Sequence, residues 1–341
     1  MKSMTIRELA KRAGVSIATV SNALNGTGKL SEQTRSRILK LVEETGYELS
    51  KKALKSKSLG VAIPLGNLPH HWETFLGDNP YYHELIAGIE EAANKLGFDA
   101  LLSVFHSEEE LESWLAEKKI AGLLFLGRHP ARTFEDLSGL SLPVVLIDAA
   151  SETFCNVGID DREGAYLATR HLLELGHRRI AFAESVAHPL ECQQPQEVQH
   201  QRLEGYRRAL AEFGVEFREE LLFGDRLSPE GGYRIGKRLL SHPLKPTGVF
   251  TTADILALGM YRAFHEKGKR IPEEFSVVGF DNISLSAFLT PGLTTVEQNM
   301  REKGATAVQL LIDQIEAGKR FVKHLELPVR LIIRESTAPP C

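Results

Sequence analysis

The sequence is poor in cysteine and contains no long apolar run. Its three cysteines, Cys155, Cys192 and Cys341, are widely spaced and form no C-x-x-C pair, so neither a disulfide framework nor a zinc ribbon is predicted. The longest apolar runs, such as residues 120–127, are far shorter than the roughly 18 residues of a membrane-spanning helix. The charged amino terminus also leaves no room for the apolar core of a secretory signal. These absences favour a cytoplasmic protein without a membrane partner.

Signatures of catalysis and of cofactor binding are missing as well. The sequence contains no G-x-S-x-G, H-E-x-x-H or G-x-x-x-x-G-K-[ST] pattern, and these spacings place a nucleophile, a pair of zinc ligands or a phosphate cradle. His70-His71, and Cys192 between His188 and His200, lack the ligand spacing of a known metal site. We therefore expect no enzymatic activity, no catalytic residues, no cofactor and no metal ion.

Charge is distributed unevenly along a chain whose formal net charge is −4. Residues 1–57 contain twelve Lys and Arg against five acids and carry a net +7, which leaves −11 on the remainder. A basic head on an acidic body indicates a polyanionic partner for the head alone. A basic face that is merely solvated would give the same pattern, so the charge by itself does not decide the function.

The first 46 residues predict three short helices that include a helix-turn-helix. Thr5 begins a run with capping-box spacing, which starts the first helix. Gly14 ends that helix, and Ser16 and Ser31 are placed to cap the second and third helices. Only Gly14, Val15 and the cap separate the first two helices, which is the tight turn of a helix-turn-helix. The alternative is a three-helix bundle with no nucleic-acid role.

The outer face of the second helix carries short side chains that fit a major groove. Such side chains can hydrogen-bond to base edges or touch a thymine methyl group. The helix N-termini and their nearby hydroxyl groups suit phosphate contacts that set the register on DNA. The predicted DNA-binding residues of the head are Thr5, Ser16, Ile17, Ala18, Thr19, Ser21, Asn22, Asn25, Ser31 and Thr34.

From residue 59 onward, short apolar runs alternate with amphipathic stretches, as in parallel sheets covered by helices. Two sets of these segments occur, before and after about residue 160. We therefore predict an α/β body of two doubly wound parallel-sheet lobes behind an all-α helix-turn-helix head. Ligands of such sheets lie beyond the carboxyl ends of the strands. The polar residues at predicted strand ends are Asp148, Glu184, Asp254 and Asp281.

Residues 5–26, TIRELAKRAGVSIATVSNALNG, closely resemble the head of the lactose-repressor-like (LacI/GalR) family of bacterial transcription regulators. Residues 31–37 and the pair Gly46-Tyr47 resemble the same family. The resemblance implies that Ile17, Ala18 and Asn22 read bases. The last position is most often Arg in the family, and Asn favours adenine where Arg favours guanine.

The linker at residues 47–58 departs from the family pattern, which is a hinge helix whose Ala and Leu enter the minor groove. It lacks the Pro-Asn start, is shorter, and has Ser56 where the wedge Leu would be. Leu54 is the candidate replacement wedge; the alternative is that the wedge is absent, which leaves mainly phosphate attraction from the lysines. The predicted DNA contacts of this linker are Tyr47, Lys51, Lys52, Ala53 and Leu54.

The body resembles the effector-binding part of the same family, which is similar to periplasmic sugar-binding proteins, so the resemblance covers almost the whole chain. It implies effector contacts from Tyr81, Tyr82, Asp148, Arg202 and Asp281. Asp254 follows an Ala where relatives often have Asn, and Arg226 replaces a common aromatic residue; both are further candidates. Arg202 flanked by two carboxylates suits a polyol, whereas Arg202 with Arg226 suits an acidic or phosphorylated ligand. The sequence does not choose between them.

Together these features predict three parts: a DNA-binding domain at residues 1–46, a hinge at 47–58, and a two-lobed effector-binding and dimerisation domain at 59–341. The predicted function is a cytoplasmic, ligand-responsive repressor that binds a pseudo-palindromic operator. A homodimer is expected because one small head buries too little DNA to be specific. The effector is expected to be a sugar, a sugar acid or a related metabolite. The alternative is a solute-binding protein with no DNA role, which would need a signal peptide and no basic head.

Overall fold

The computed structural model describes residues 6–16, 19–20, 23, 31, 34, 36–38, 40–41, 58–64, 80–127, 140, 142–185 and 197–341. The chain divides into two compact units, Met1–Lys55 and Ser56–Cys341. Because residues 42–57 lie outside the described part, the predicted limits of the head and the hinge stay predictions.

The first unit has a small apolar core. Helix α1 spans Ile6–Ala13, and Thr19, Val20, Ala23, Thr34, residues 36–38, Lys40 and Leu41 are also helical. The buried side chains come from each of the three predicted helices, so the helical expectation for the head is met wherever the structure describes it. They are Ala10, Ala13, Val20, Ala23 and Ile38, with Val15 and Leu41 packed against them.

The first lobe of the second unit is a six-stranded parallel sheet with the order β11-β5-β4-β3-β1-β2. The central strands form because they are rich in Val, Ile and Leu and are buried on both faces. The strands are β1 Ser58–Pro64, β2 Asp99–Phe105, β3 Gly122–Leu126, β4 Val144–Ile147, β5 Cys155–Ile159 and β11 His324–Leu327.

The second lobe has a sheet with the order β12-β10-β9-β8-β6-β7. Its strands are parallel except for β12, which pairs antiparallel with β10 at the edge. The predicted architecture of two parallel-sheet lobes is thus present. The strands are β6 Ile180–Ser185, β7 Leu222–Asp225, β8 Gly248–Thr251, β9 Ser276–Asp281, β10 Thr294–Glu297 and β12 Arg330–Ile332.

Amphipathic helices cover both sheets, as the alternation predicts. They are α2 Pro80–Lys95, α3 Glu108–Glu117, α4 Asp161–Glu174, α5 Glu197–Glu212, α6 Pro229–Leu240, α7 Asp254–Glu266 and α8 Met300–Ala317. Short 3-10 turns lie at Glu219–Leu221 and Ser284–Ala287. In the part of the chain that is described, no helix combines the length and the apolar character that a membrane crossing needs.

The chain passes between the lobes three times, from β5 to α4, from β10 to α8 and from β11 to β12. A division of the lobes at residue 160 is therefore incomplete, because α8 and β11 return to the first lobe, where Val308 and Leu311 join its core. These crossings carry the segment 298–303 past the carboxyl ends of both sheets. That placement is what assembles the site described next.

Candidate effector site and DNA-binding head

In the head, the two predicted helix caps are formed. The Ser16 hydroxyl accepts a hydrogen bond from the Thr19 backbone amide at 3.0 Å, and the two hydroxyls lie 2.8 Å apart. Ser31 does the same for Thr34, at 3.2 Å and 2.8 Å. Each cap satisfies an amide at a helix start that would otherwise lack a partner. The four hydroxyls are thus placed at helix N-termini, where phosphate contacts are predicted.

One arginine joins the parts of the head. Arg37 donates to the backbone carbonyl of Ala13, the last residue of α1, at 3.0 Å, so the third predicted helix is tied to the end of the first. The remaining DNA-binding candidates lie outside the described residues and stay predictions. They are Thr5, Ile17, Ala18, Ser21, Asn22, Asn25, Tyr47, Lys51, Lys52, Ala53 and Leu54.

In the body, backbone strain marks the ends of the strands. Five residues other than glycine have positive φ within the described ranges, and four of them lie at strand ends or the second crossing. Asp148 follows β4 with φ 57°, Asp281 ends β9 with φ 118°, Asn282 has φ 54° and Asn299 has φ 43°. Each such residue costs on the order of 1–3 kcal/mol and persists only where its surroundings hold it, commonly at functional sites.

The first-lobe wall of the site is built from Tyr81, Asp148 and Lys303. The Tyr81 hydroxyl donates to Asp148 Oδ2, and Lys303 Nζ donates to Asp148 Oδ1 at 2.7 Å. Burial, followed by the Asp148 charge, raises the pKa of Tyr81 well above its ordinary value, so Tyr81 remains a donor. Tyr82 packs edge-on against Tyr81, with ring centroids 5.1 Å apart. The structure thus brings three predicted effector residues together.

The second-lobe wall contains Arg202, which is buried and already paired. Its Nε and one terminal nitrogen each lie 2.7 Å from Asp161 Oδ1, and its other terminal nitrogen donates to the Thr252 carbonyl at 2.5 Å. The guanidinium also lies 3.6 Å from the centroid of the Phe280 ring. Burial raises the pKa of Asp161, and Arg202 acts against that rise. The buried charges of Arg202 and Asp161 therefore compensate each other.

A close helix approach makes this pairing possible. Gly205 lies on α5 against α4, where a β-carbon would overlap the backbone carbonyl of Arg162. Without a side chain at this position, α5 lies near enough for Arg202 to reach Asp161 at the start of α4. Gly205, three residues after Arg202, therefore allows the arginine to reach Asp161.

Asp281 is buried at the end of β9. Gln298 Nε2 donates to its Oδ1 at 2.5 Å. Burial raises the pKa of Asp281 to about 8, with Arg202 lowering it and Asp254 raising it. Burial thus works against the charged form of this carboxyl, and a ligand that donates to it would favour the charged form.

Asp254 has a different place from the one that the sequence predicts. It is the first residue of α7 and not a strand end, since β8 ends at Thr251. Its oxygens accept from the Ile283 amide at 3.0 Å and from the hydroxyls of Ser286 and Thr295 at 2.6 Å each. Burial raises its pKa to about 6. With no exposed surface, Asp254 supports the turn after Asp281, whereas the sequence places it among the effector contacts.

Arg226 follows β7 and is exposed, and its backbone amide donates to Asp225 at 2.8 Å. Arg202, in contrast, is buried and committed to Asp161. The two arginines that would together suit an acidic ligand are thus in different environments. They do not form a pair of free cations that such a ligand could bind.

Sequence reasoning missed Gln298 and Lys303, which both contact the predicted effector residues. Lys303 has no exposed surface and donates to Gln298 Oε1 at 2.6 Å as well as to Asp148. The sequence does contain a signal for Lys303. It lies at helical spacing with the apolar residues Met300, Ala307 and Leu311, which places the lysine on the apolar face of a predictable helix. A charge at such a position requires a buried partner.

Comparisons with known proteins agree with this architecture. Residues 5–49 match the family of bacterial regulatory proteins called lacI, and residues 169–337 match the periplasmic binding protein-like domain. The HTH-type transcriptional repressor PurR of Mannheimia succiniciproducens is 32% identical over 345 residues, which cover 97% of this chain and 98% of that protein.

Solved structures are similar over nearly the full length. A complex of the transcriptional regulator CelR with cellobiose has a TM-score of 0.72 at 28% identity and covers 98% of this chain and 99% of that one. The lac repressor dimer bound to operator and the anti-inducer ONPF has a TM-score of 0.68 at 25% identity, with 99% and 100% covered. The helix-turn-helix match contradicts a solute-binding protein without a DNA role, and the matched family is one of regulators and not of enzymes. The chain belongs to the lacI family of bacterial regulatory proteins.

Proposed function

We propose that this protein is a repressor that binds a pseudo-palindromic operator as a homodimer and responds to an uncharged, polyhydroxylated effector. The observation that carries the effector class is the internal pairing of the buried cations of the site. Arg202 is held by Asp161, and Lys303 by Asp148. An anionic ligand would have to break one of these pairs, whereas hydroxyl groups can donate to the carboxylates already present.

The DNA-binding part of the proposal is supported by the head. Its core, its two caps and the net charge of +7 on residues 1–57 fit a helix presented to the major groove. The structurally similar lac repressor dimer is bound to operator. We propose that Ile17, Ala18 and Asn22 read bases and that the caps and linker lysines contact phosphates. Because operator DNA lies in the bacterial cytoplasm, the protein would act there.

Exposed apolar side chains support the homodimer. Phe288 is 82% exposed and Leu285 is 49% exposed beside the second lobe's 3-10 turn. Leu96 and Leu102 are exposed at the end of α2 and on the edge strand β2. Large apolar side chains grouped on a surface mark contact sites, and a second copy would cover the same patches symmetrically. Two heads would then meet two half-sites.

The proposed effector class is supported by the structurally similar complex of CelR with cellobiose and by the geometry of the site. Asp148 is one-fifth exposed, and Tyr81 and Tyr82 are half-buried beside it. Aromatic rings next to carboxylates suit the alternating apolar faces and hydroxyl edges of a sugar. We propose Tyr81, Tyr82, Asp148, Arg202 and Asp281 as effector contacts, and we place Asp254 behind them as a support.

A thermal-shift screen of the full-length protein tests the effector class. Cellobiose and other neutral sugars are compared with sugar acids and sugar phosphates of the same carbon skeleton, since a ligand that binds the native state raises Tm by mass action. The matched control is Asp281→Asn, which should lose the rise. Neutral sugars should raise Tm and their anionic counterparts should not. A rise confined to sugar acids or sugar phosphates would overturn the proposed class.

A further inference from the structure

Lys303 is a fully buried ammonium group at the junction of the two lobes. It lies in the first turn of α8, and its side chain has no exposed surface. Its Nζ lies 2.7 Å from Asp148 Oδ1, 2.6 Å from Gln298 Oε1 and 3.3 Å from the Tyr81 hydroxyl oxygen. The three groups come from the end of β4, the second crossing and α2. The ammonium thus joins three separate segments of the chain.

The packing of α8 explains how the ammonium reaches this place. Gly304 follows Lys303, and a β-carbon on it would lie 2.6 Å from the backbone carbonyl oxygen of Leu85 on α2. The absence of a side chain lets the two helices approach closely, which brings Lys303 over the Tyr81 ring at 5.4 Å. Burying an ammonium carries a large desolvation cost, which the hydrogen bonds to the three acceptors offset.

The contacts of Lys303 also determine which groups donate and which accept in the hydrogen-bond chain from Lys303 through Gln298 to Asp281. An ammonium can only donate, so the Gln298 side chain must turn its carbonyl oxygen toward Lys303. Its amide nitrogen then faces Asp281 and donates to Oδ1 at 2.5 Å. Without Lys303, the amide orientation would depend on Asp281 alone, and a protonated carboxyl can pair with either end of the amide.

We propose that Lys303 is a positioning residue of the effector site: by neutralising Asp148 and orienting Gln298, it makes Asp281 an acceptor for a hydroxyl group of the ligand. The inference rests on the proposed effector site and deepens it. Among the described hydrogen bonds, Asp281 accepts only the one from Gln298, through Oδ1, so Oδ2 is left for the ligand. The Lys303–Asp148 pair in the first-lobe wall has no net charge, so it offers an anionic ligand no free cation.

The pKa of Asp281 provides a measure of the positioning role of Lys303 that requires no ligand. The groups that act on it are the cations Arg202 and Lys303, the acid Asp254 and the amide of Gln298, and Tyr81 lies within its electrostatic reach. Lys303 and the Gln298 donor both lower the pKa of Asp281 against the effect of burial. Removing Lys303 should therefore raise this pKa beyond about 8.

The sign of the effect on stability follows from linkage. Asp281 has a higher pKa in the folded than in the unfolded protein, so it stabilises the fold at low pH, and that contribution is lost as pH rises through the folded pKa near 8. Asp254 gives a similar loss that ends near its own pKa of about 6. A window from pH 7 to 9.5 thus lies above the Asp254 loss and includes the end of the Asp281 loss, which the Asp281→Asn variants identify.

The experiment measures urea unfolding of the full-length protein across this window for wild type, Lys303→Met, Asp281→Asn and the double variant Lys303→Met/Asp281→Asn. The slope of the free energy of unfolding against pH falls to half its size at the folded pKa of Asp281. Lys303→Met should move this midpoint upward by about one pH unit or more, a tenfold change in proton affinity. In the Asp281→Asn background the same lysine substitution should leave the pH profile unchanged. A Lys303→Met protein that is equally destabilised at every pH, with the wild-type midpoint, would overturn the proposal.

A second variant covers the case in which Lys303→Met does not fold. Asp148→Asn/Lys303→Met leaves no unpaired carboxylate at position 148, so it should fold. Its midpoint should also lie above that of Asp148→Asn alone, because Gln298 has lost its fixed orientation. Equal midpoints in these two proteins would refute the positioning role. No sugar enters these measurements, so their outcome is separate from the sugar screen that tests the effector class.

Discussion

Removing Arg202 should cost the protein much of its stability, and not only its response to a ligand. Arg202 is 7% exposed and Asp161 is 5% exposed, and the two are joined by contacts of 2.7 Å at both Nε and a terminal nitrogen. Arg202→Met keeps most of the side-chain volume but leaves the Asp161 carboxylate and the Thr252 carbonyl without their donors. Breaking a buried ion pair in this way typically costs about 3–5 kcal/mol.

The assay is urea unfolding at pH 7, with Arg202→Met/Asp161→Asn as the matched control. The double variant removes both charges, so it should recover a large part of the loss. Burial already raises the pKa of Asp161 in the presence of Arg202, and loss of the arginine should raise it further. Arg202→Met should accordingly become less destabilised as pH falls toward 5. A single variant within about 1 kcal/mol of wild type, the level of an exposed pair, would refute this reasoning.

Further predictions concern the head, the dimer and the body. Operator affinity should fall with salt with a log-log slope of about four to eight in magnitude for the dimer, measured by fluorescence anisotropy, and a slope near zero would contradict DNA binding through phosphates. Phe288→Ser should weaken the dimer in analytical ultracentrifugation, with Ile333→Ser, another exposed apolar position, as the control; equal effects would argue against the proposed patch. Gly205→Ala should lower stability more than Gly97→Ala, since a β-carbon at Gly97 meets no atom within 4 Å although its φ of +80° is itself strained; equal losses in urea unfolding would contradict the close helix approach.

Much of the head could be predicted because its signals are local. A hydroxyl residue three positions before a helical amide identifies a cap directly, and Ser16 and Ser31 both form the predicted bonds. The strands β1, β3, β4, β6, β8 and β9 are equally predictable, since short apolar runs rich in Val, Ile, Leu and Phe are typical of strands buried on both faces. The ends of these strands correctly located Asp148 and Asp281.

What the sequence could not provide depends on how distant segments meet. The short strands β10, β11 and β12 have three or four residues each and include polar or charged residues, so no apolar run marks them. The return of the chain from the second lobe to the first was therefore missed, and with it the approach of Gln298 and Lys303 to Asp148. Asp254 is a different case: it is predicted at a strand end but begins α7, and its oxygens accept from the turn after β9 and from Thr295 on β10.

The most direct measurement of the proposed function is an operator titration with and without the neutral sugar that raises Tm most in the screen, together with the sugar's own affinity for free and operator-bound protein. If the protein is a ligand-responsive repressor, the sugar changes operator affinity, and operator changes sugar affinity by the same factor. Asp281→Asn should keep the operator affinity of the sugar-free protein and lose the change. Operator affinity that stays the same at saturating sugar would contradict a ligand-responsive repressor.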